Sequence, residues 1–496
     1  MHWMKRPARL RLVGLFVIMT VLTAVACGAG ASGDKAGGPG EAVVLHMANT
    51  GAHIQFTPAI EYFVSRVEEL SDGNLRIGMV HEWGDFSPDA EQQVVRAVSA
   101  GEVDLGWSGT RVFDTMGVTT LQALTAPMLI DSYALEDAVI RSGITEQMLR
   151  GLDEVGVTGL AVVADGLRKP IAVDGPLLGP EDYHGLTFQA FRSEGHAEAI
   201  RALGANPTEV FGPSLDEGLE NGEIQGFEKN LLVYEHNLMY TLAPYVTANV
   251  NLWPQMPVLF ANPDRFATLT EEQRGWLRRA AADAAARSAA LADRDAQLLT
   301  FLCESGARFA NASEADLAAL RRAFAPVYSM LERDPETKTF IERIEELKLA
   351  TPPGPQLAIP PGCSGPAPAA SAVSPGGVAS DLNGTYRWTI TKEDALASET
   401  EDKSPEHLAE FPWVFTMTLE DGTWKLTHTE VGQPYTDSPG DTYSIRGDRI
   451  IFDWEDYILT FTFSVDDQGN LEVRPVEPMG AGEQFVWATH PWTKIG

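Results

Sequence analysis

The stretch TPPGPQLAIPPGCSGPAPAASAVSPGGVAS, Thr351 to Ser380, divides this chain more sharply than any other feature. It is dense in proline and small residues, has no hydrophobic period and carries only a few scattered large apolar residues, so it reads as a semi-extended linker over 351–380. No single core can run through it. On its N-terminal side, over 43–350, short apolar or β-branched runs alternate with longer amphipathic ones, the texture of an α/β body. On its C-terminal side, over 381–496, the runs GTYRWTIT, WVFTMTLEDGTWKLTHT, DTYSIRGDRIIFDW and YILTFTFSVDDQGNLEVRPV alternate in period two, with EDGT, RGDR and DDQGN as turns. That pattern predicts a small antiparallel all-β barrel.

The α/β body repeats its units. VVLHMAN reads as a buried strand, FTPAIEYFVSRVEELS as a helix with Ala59, Phe63, Val67 and Leu70 on one face, and DGNLRIGMV as a turn into a second strand. DAEQQVVRAVSAG is a helix closed by Gly101, and EVDLGW a third strand. A similar order recurs in LTFQAF, SEGHAEAIRALG, NPTEV, PSLDEGLENG and IQGFE. Two mostly parallel sheets follow, hence two lobes.

The N-terminus carries its own instructions. Lys5, Arg6, Arg9 and Arg11 precede an apolar run, Leu12 to Ala26, that is too short for a comfortable membrane-spanning helix. This is an export signal over 1–26. Its end, Ala24-Val25-Ala26-Cys27-Gly28, resembles the bacterial lipobox, in which the cysteine is acylated and becomes the new N-terminus. Lipidation at Cys27 would tether the protein outside the cytoplasm, at the cell membrane, with residues 27–42 as a flexible spacer; plain secretion is the alternative.

The formal net charge is −32, and removal of the four signal cations makes it more negative still. Such a surface repels nucleic acid, so no nucleic-acid partner is expected. There is no HExxH, GxSxG or CxxC, no His pair at metal spacing and no phosphate-cradling glycine motif. The chain is therefore not expected to be an enzyme, and no metal or cofactor is implied; a hydrolase built on scattered carboxylates is the alternative from another class.

The series RVEELSDGNLRIGMV, VSAGEVDLGW, TAPMLI, ADGLRKPIAV, PEDYHGLTFQAFRSEG, ALGANPTEV, GLENGEIQGFEKN and FATLTEEQRGWLRRAAADAA, in that order and spacing, resembles the solute-binding proteins of tripartite ATP-independent periplasmic (TRAP) transporters. The resemblance covers Val43 to Leu349. It implies two α/β lobes of the periplasmic-binding-protein type around a cleft, and a long helix spanning both, here Glu271 to about Leu302. It also implies a small organic ligand and TRAP-type permease subunits as partners. A non-transport sensor or adaptor role is left open by the added barrel, whose LNGTYRW entry and WATHPWTKIG end resemble lipocalin-type (calycin) barrels.

Candidate ligand-binding residues follow. Arg168 of ADGLRKPIAV sits where the family carries a ligand-binding arginine, with a buried salt bridge as the alternative. Trp83, Trp107 and Trp253 are either cleft aromatics or core. Phe191, Glu228 and Asn230 sit at second-lobe strand ends; Glu228 matches the acidic position of the family's DGxEN, in which Gln225 and Lys229 replace the aspartate and the asparagine. In the family strand GLKIRVP an arginine grips the ligand carboxylate, and here that position is Gln189. A neutral amide cannot replace a guanidinium fork. The resemblance therefore implies a ligand that depends little on a carboxylate, with a simple C4 dicarboxylate disfavoured. Arg192, an odd offset further along the strand, is read as surface. Cys303 and Cys363, both exported into an oxidising compartment, are expected to form a disulfide.

Overall fold

Short apolar and β-branched runs extend when a face can be buried. In the computed structural model β1 (Val43–Ala48) and β2 (Leu75–Val80) pair in parallel, Val43 opposite Leu75 and Ala48 opposite Val80. The helix Pro58–Leu70 makes the crossover and turns Ala59, Ile60, Phe63 and Val67 inward. The helix Ala90–Ala100 returns to β3 (Leu105–Gly109), and Gly101, at φ +76°, closes it by donating to the carbonyls of Ala97 and Val98. The structure describes residues 42–51, 54, 56–365, 382–398, 403–404, 408–409, 411–430, 433–446, 449–454, 457–466, 468–475 and 481–495. The expected signal segment, Cys27, the spacer as far as 41 and the linker from 366 onward lie outside them.

Two sheets build the α/β unit. β4 (Thr158–Val162) leads into the second lobe, which holds β5 (Leu167–Ala172), β6 (Thr187–Ala190), β7 (Asn206–Glu209), β8 (Gly226–Lys229), β9 (Tyr245–Thr247) and β10 (Trp253–Pro254). The chain then returns through β11 (Pro257–Ala261), and β12 (Arg308–Ala310) ends the set. The first sheet has the order β2-β1-β3-β11-β4; the second has β12-β9-β5-β8-β6-β7, with β10 on β5. β6 is parallel to β7 and β8, while β8 and β9 run antiparallel to β5, so the second sheet is mixed.

The two strand crossovers between lobes pair with each other. Val163 and Asp165 donate backbone N–H bonds to Pro257 and Gln255, at 2.9 Å each, and Gln255 donates to Gly166 at 2.7 Å. A third connection is helical. The helix Glu271–Ala292 is followed by a second, Asp295–Glu304, and the single long helix implied by family resemblance is broken at Asp293 and Arg294. The break lets the buried Asp295 meet Lys169 at 3.2 Å and the Tyr133 hydroxyl at 3.1 Å.

The segment 352–365, read from composition as linker, belongs with the α/β unit. Cys363 is buried and bonded to Cys303, with Cα atoms 5.4 Å apart, and its carbonyl accepts the Phe309 N–H.

The C-terminal unit is a separate antiparallel sheet of β13 (Gly384–Ile390), β14 (Trp413–Glu420), β15 (Thr423–Glu430), β16 (Gln433–Arg446), β17 (Arg449–Trp454), β18 (Tyr457–Val465), β19 (Leu471–Pro475) and β20 (Thr493–Lys494). Its order runs from β19 through β18, β17, β16, β15, β14 and β13 to β20. Leu471 and Trp492 exchange backbone hydrogen bonds at 3.0 and 2.7 Å, which nearly closes the sheet into a barrel. Alternation drives one face inward: Trp413, Phe415, Met417 and Leu419 of β14 are buried. They join Trp388, Trp424, Trp487 and Trp492 in one aromatic cluster, and the indoles of Trp388 and Trp492 donate to the carbonyls of Val486 and Trp487.

A chain ending at Ala372 is expected to keep the disulfide and unfold cooperatively, whereas one ending at Thr351 loses Cys363 and melts lower. For a cross-link spanning 60 residues the difference approaches roughly 4 kcal/mol by loop-closure entropy. Calorimetry of both chains, with and without reductant, measures it; reductant should lower only the longer one.

Candidate functional site

The crossovers bring charged side chains of both lobes to one place. From the first lobe, Arg111 lies in the turn Thr110–Met116 that follows β3, and Glu91 in the helix Ala90–Ala100. From the second, Arg168 lies on β5, Glu228 and Lys229 at the end of β8, and Phe191 just beyond β6. Gln255 sits on the return crossover.

The geometry is specific. Arg111 donates from Nη2 to both oxygens of Glu91, at 2.8 and 2.7 Å, and from Nη1 to Gln255 Oε1 at 3.1 Å. Arg168 donates from Nη1 to that same Gln255 oxygen at 2.9 Å, from Nη2 to the Glu228 carbonyl at 3.0 Å, and from Nε to the Glu228 carboxylate. Both arginines and Glu228 are buried, so each charge needs its partners. Three cations also face the Phe191 ring: Arg111 at 3.9 Å, Lys229 at 4.7 Å and Arg168 at 5.1 Å from its centroid. Burial, then repulsion from Arg168, pulls the Lys229 ammonium down to about 7.

Other contacts cross the cleft. Asp114 Oδ2 accepts from the Ser193 hydroxyl at 2.6 Å and the Gly195 N–H at 3.0 Å, at the start of the helix Glu194–Ala202. Burial nevertheless raises its pKa to about 6. Gln92 Nε2 donates to the Arg192 carbonyl at 3.0 Å, and Phe86 stacks on Phe211 with centroids 6.1 Å apart.

The sequence-derived candidates separate into groups. Arg168, Phe191 and Glu228 meet as described. Gln189, on β6, is buried; its Nε2 donates to the Val210 carbonyl at 3.1 Å, and its Oε1 has no partner among the described residues. Trp107 lies on β3 opposite Leu259, packs against the first-lobe core and has an indole N–H without a partner among the described residues. Trp83 is part-buried beside β2, and its backbone N–H donates to the Asn49 carbonyl. Trp253 is in the core, stacked on His196 with centroids 3.9 Å apart. Asn230 caps the helix Leu231–His236 through Oδ1 to the Val233 N–H, and its Nδ2 donates to the Asp165 carbonyl. Arg192 is 47% exposed, near Asp89 and Glu209. Sequence reasoning missed Arg111, Lys229, Gln255 and Asn49, whose side chain is wholly buried and has no partner among the described residues. For Arg111 and Asn49 the available signal was position just past a strand's C-terminal end.

Behind the site, the crossovers enclose acids. Glu136 is wholly buried with neither carboxyl oxygen partnered among the described residues, and Asp165 Oδ1 is likewise bare. Burial first, then neighbouring acids (Asp165, Asp295 and Asp293), pushes Glu136 well above the carboxylate range; burial alone does so for Asp165.

A family model described as bacterial extracellular solute-binding protein, family 7, matches residues 46–334. The ectoine-binding periplasmic protein TeaA of Halomonas elongata is 25% identical over 226 residues, 45% of this chain and 64% of TeaA. The C4-dicarboxylate-binding periplasmic protein DctP of Rhodobacter capsulatus is 25% identical over 138 residues, 28% of this chain and 41% of DctP. The matched spans are thus less than two thirds of these relatives' lengths. Among solved structures, a TRAP periplasmic solute-binding protein of Ralstonia eutropha with bound (S)-2-acetolactate aligns with a TM-score of 0.56 at 21% identity, over 62% of this chain and 99% of that one. The sugar-acid-binding protein DctPAm of Advenella mimigardefordensis, in complex with galactonate, aligns at 0.56 and 20% identity over the same shares. At such identities these two structures establish the fold.

A buried carboxyl that stays protonated when folded makes stability fall as pH rises from the ordinary carboxylate range toward its raised pKa, because the unfolded chain ionises first. Glu136→Gln removes that ionisation. The variant is expected to gain thermal stability over the wild type at pH 8 and to show no gain at pH 4, on the order of 1 kcal/mol per pH unit of the interval crossed. Melting curves across that range measure it; parallel pH profiles for the two proteins would refute it.

Proposed function

The chain belongs to the bacterial extracellular solute-binding proteins of family 7, and from that premise we propose that it is a membrane-tethered receptor that closes on a small organic solute and delivers it to a TRAP-type permease. The observation that carries the reading is the buried group around Phe191, assembled from both lobes and tied to the crossover by Gln255. A clamp works by shifting an open–closed equilibrium, and so it needs contacts that only the closed arrangement completes. Contacts between Asp114 and the helix that starts at Glu194, and between Gln92 and Arg192, have that character.

Each part has a role in this reading. Arg168, held by Glu228, and Arg111, held by Glu91, are positioned before a ligand arrives, which lowers the ordering cost of binding. Phe191 offers an aromatic wall, and the bare polar atoms of Gln189, Trp107 and Asn49 offer hydrogen bonds that a solute would complete. Cys27 would carry the acyl chains, which puts the receptor outside the cytoplasm, anchored at the membrane. The appended barrel supports a second reading, a sensor or surface adaptor that uses the same solute site. Adjacent permease genes would favour transport over that reading.

For the full chain, a solute that binds is expected to raise the melting temperature without being consumed, and Phe191→Ala should weaken that binding about tenfold or more. Turnover of the solute would instead indicate an enzyme. Separately, Cys27→Ser should move the exported protein from the membrane fraction to the soluble one; unchanged membrane retention would remove the anchor from the proposal.

A further inference from the structure

Gln189 stands where the related strand pattern has an arginine, and that exchange alone argues for a ligand with little charge. The assembled site argues otherwise. Glu91 takes both Nη2 bonds of Arg111, and Glu228 takes Arg168 through its carboxylate and its carbonyl, so each guanidinium arrives already neutralised by a carboxylate. Lys229 does not. Among the described residues nothing hydrogen-bonds or ion-pairs with its ammonium, which rests 4.7 Å from the Phe191 centroid. The charged groups acting on it are Arg168 of β5, Arg111 of the turn after β3, Glu228 of its own strand and Asp216 of the helix Pro213–Glu220. The two arginines and two glutamates that bond one another cancel, which leaves Asp216 as the remaining anion acting on Lys229, and none of the described carboxylates ion-pairs with it.

Register explains why it faces the ring. β6 and β8 are parallel with Phe188 opposite Gly226, so the chain leaving β6 at Phe191 and the end of β8 at Lys229 emerge on the same side of the sheet, where Lys229 Nζ meets the ring. Gln189 Nε2 donates to the Val210 carbonyl, and the next residue, Phe211, packs on Phe191 with centroids 5.6 Å apart, so the bare, buried Gln189 Oε1 belongs to the same neighbourhood. Among the described residues, an acceptor without a partner and a cation without an ion-pair partner together describe what is missing: an anionic oxygen close to a hydroxyl or amine donor.

We propose that Lys229 is the residue that receives the anionic oxygen of this receptor's ligand, a small organic acid that also donates a hydrogen bond to Gln189, and that binding takes up a proton at the Lys229 amine. The proposal rests on the receptor reading above. Proton uptake follows because the free amine, in its buried setting beside two guanidiniums, is partly neutral near pH 7, whereas an anion against it restores the ammonium. A lysine at this place therefore makes solute capture depend on pH; an arginine at position 189 would not.

The test uses the full chain with D-glucuronate, D-galacturonate, succinate, sn-glycerol 3-phosphate and the zwitterion ectoine as probes that carry an anionic oxygen, and myo-inositol as a probe that carries none. Calorimetry at pH 6 and pH 8.5, in buffers of different ionisation enthalpy, reads affinity and proton uptake. At least one probe with an anionic oxygen is expected to bind at pH 6 and to lose about tenfold or more by pH 8.5, with uptake near zero at pH 6 and approaching one proton at pH 8.5. Lys229→Arg should keep the pH 6 affinity within about threefold and abolish the pH dependence, while Lys229→Met should lose about tenfold at pH 6. Equal affinity at both pH values without uptake, or unchanged binding by Lys229→Met, overturns the proposal and leaves the receptor reading intact. Binding of myo-inositol alone does the same. Failure of every probe to bind at either pH counts against both.

Discussion

One oxygen holds the two lobes' charges in place. Gln255 Oε1, on the return crossover, accepts from Arg111 at 3.1 Å and from Arg168 at 2.9 Å, and each arginine is buried. A buried guanidinium left without partners would cost several kcal/mol, so Glu91 and Glu228 are as necessary as the arginines they hold. The order of dependence is clear. Crossover geometry sets Gln255, Gln255 and the two glutamates set the arginines, and the arginines set the charge that Lys229 and Phe191 experience.

The same crossovers explain why the molecule keeps unfavourable groups inside. Glu136 and Asp165 sit where β4 gives way to β5 and where the long helix breaks, close to Asp295 and its partner Lys169. As anions they would repel one another across a medium that screens poorly. As protonated acids they cost less, and stability carries the difference as a dependence on pH. Asp114 is a milder case on the rim of the cleft: burial raises it, but hydrogen bonds from Ser193 and Gly195 hold it to about 6. Local strain of this kind belongs to connections that must bend, whereas the sheets on either side are plain apolar cores.

The C-terminal unit follows another logic. Its edges would be open for pairing in a flat sheet, but the Leu471–Trp492 exchange nearly closes them, and the described inward-facing residues are largely tryptophans and phenylalanines packed on one another. The α/β unit, in turn, takes in the first part of the proline-rich stretch through Cys363. Composition alone assigns that stretch to neither unit. Proline and glycine say that a segment is not a helix or a strand, but a disulfide and a few backbone bonds decide whether it is free.

Amino-acid sequence by itself determined the division into an α/β body and an all-β unit, because periods of 3.6 and 2 are local and survive without knowledge of partners. It also determined which strand ends carry Arg168, Phe191 and Glu228, since motif order places them in the fold. What it left undecided was which charges meet. Arg111 is 57 residues upstream of Arg168 in the chain, and only the crossovers join them through Gln255. Trp253 and Asn230 read as site residues from sequence position, yet stacking on His196 and capping a helix are contacts visible only in three dimensions. Lys229 read as a lost asparagine and became an unpaired cation once its neighbours were neutralised. Electrostatics in a buried site depends on distance through space and on which partners are already taken, and a linear chain specifies neither until it has folded.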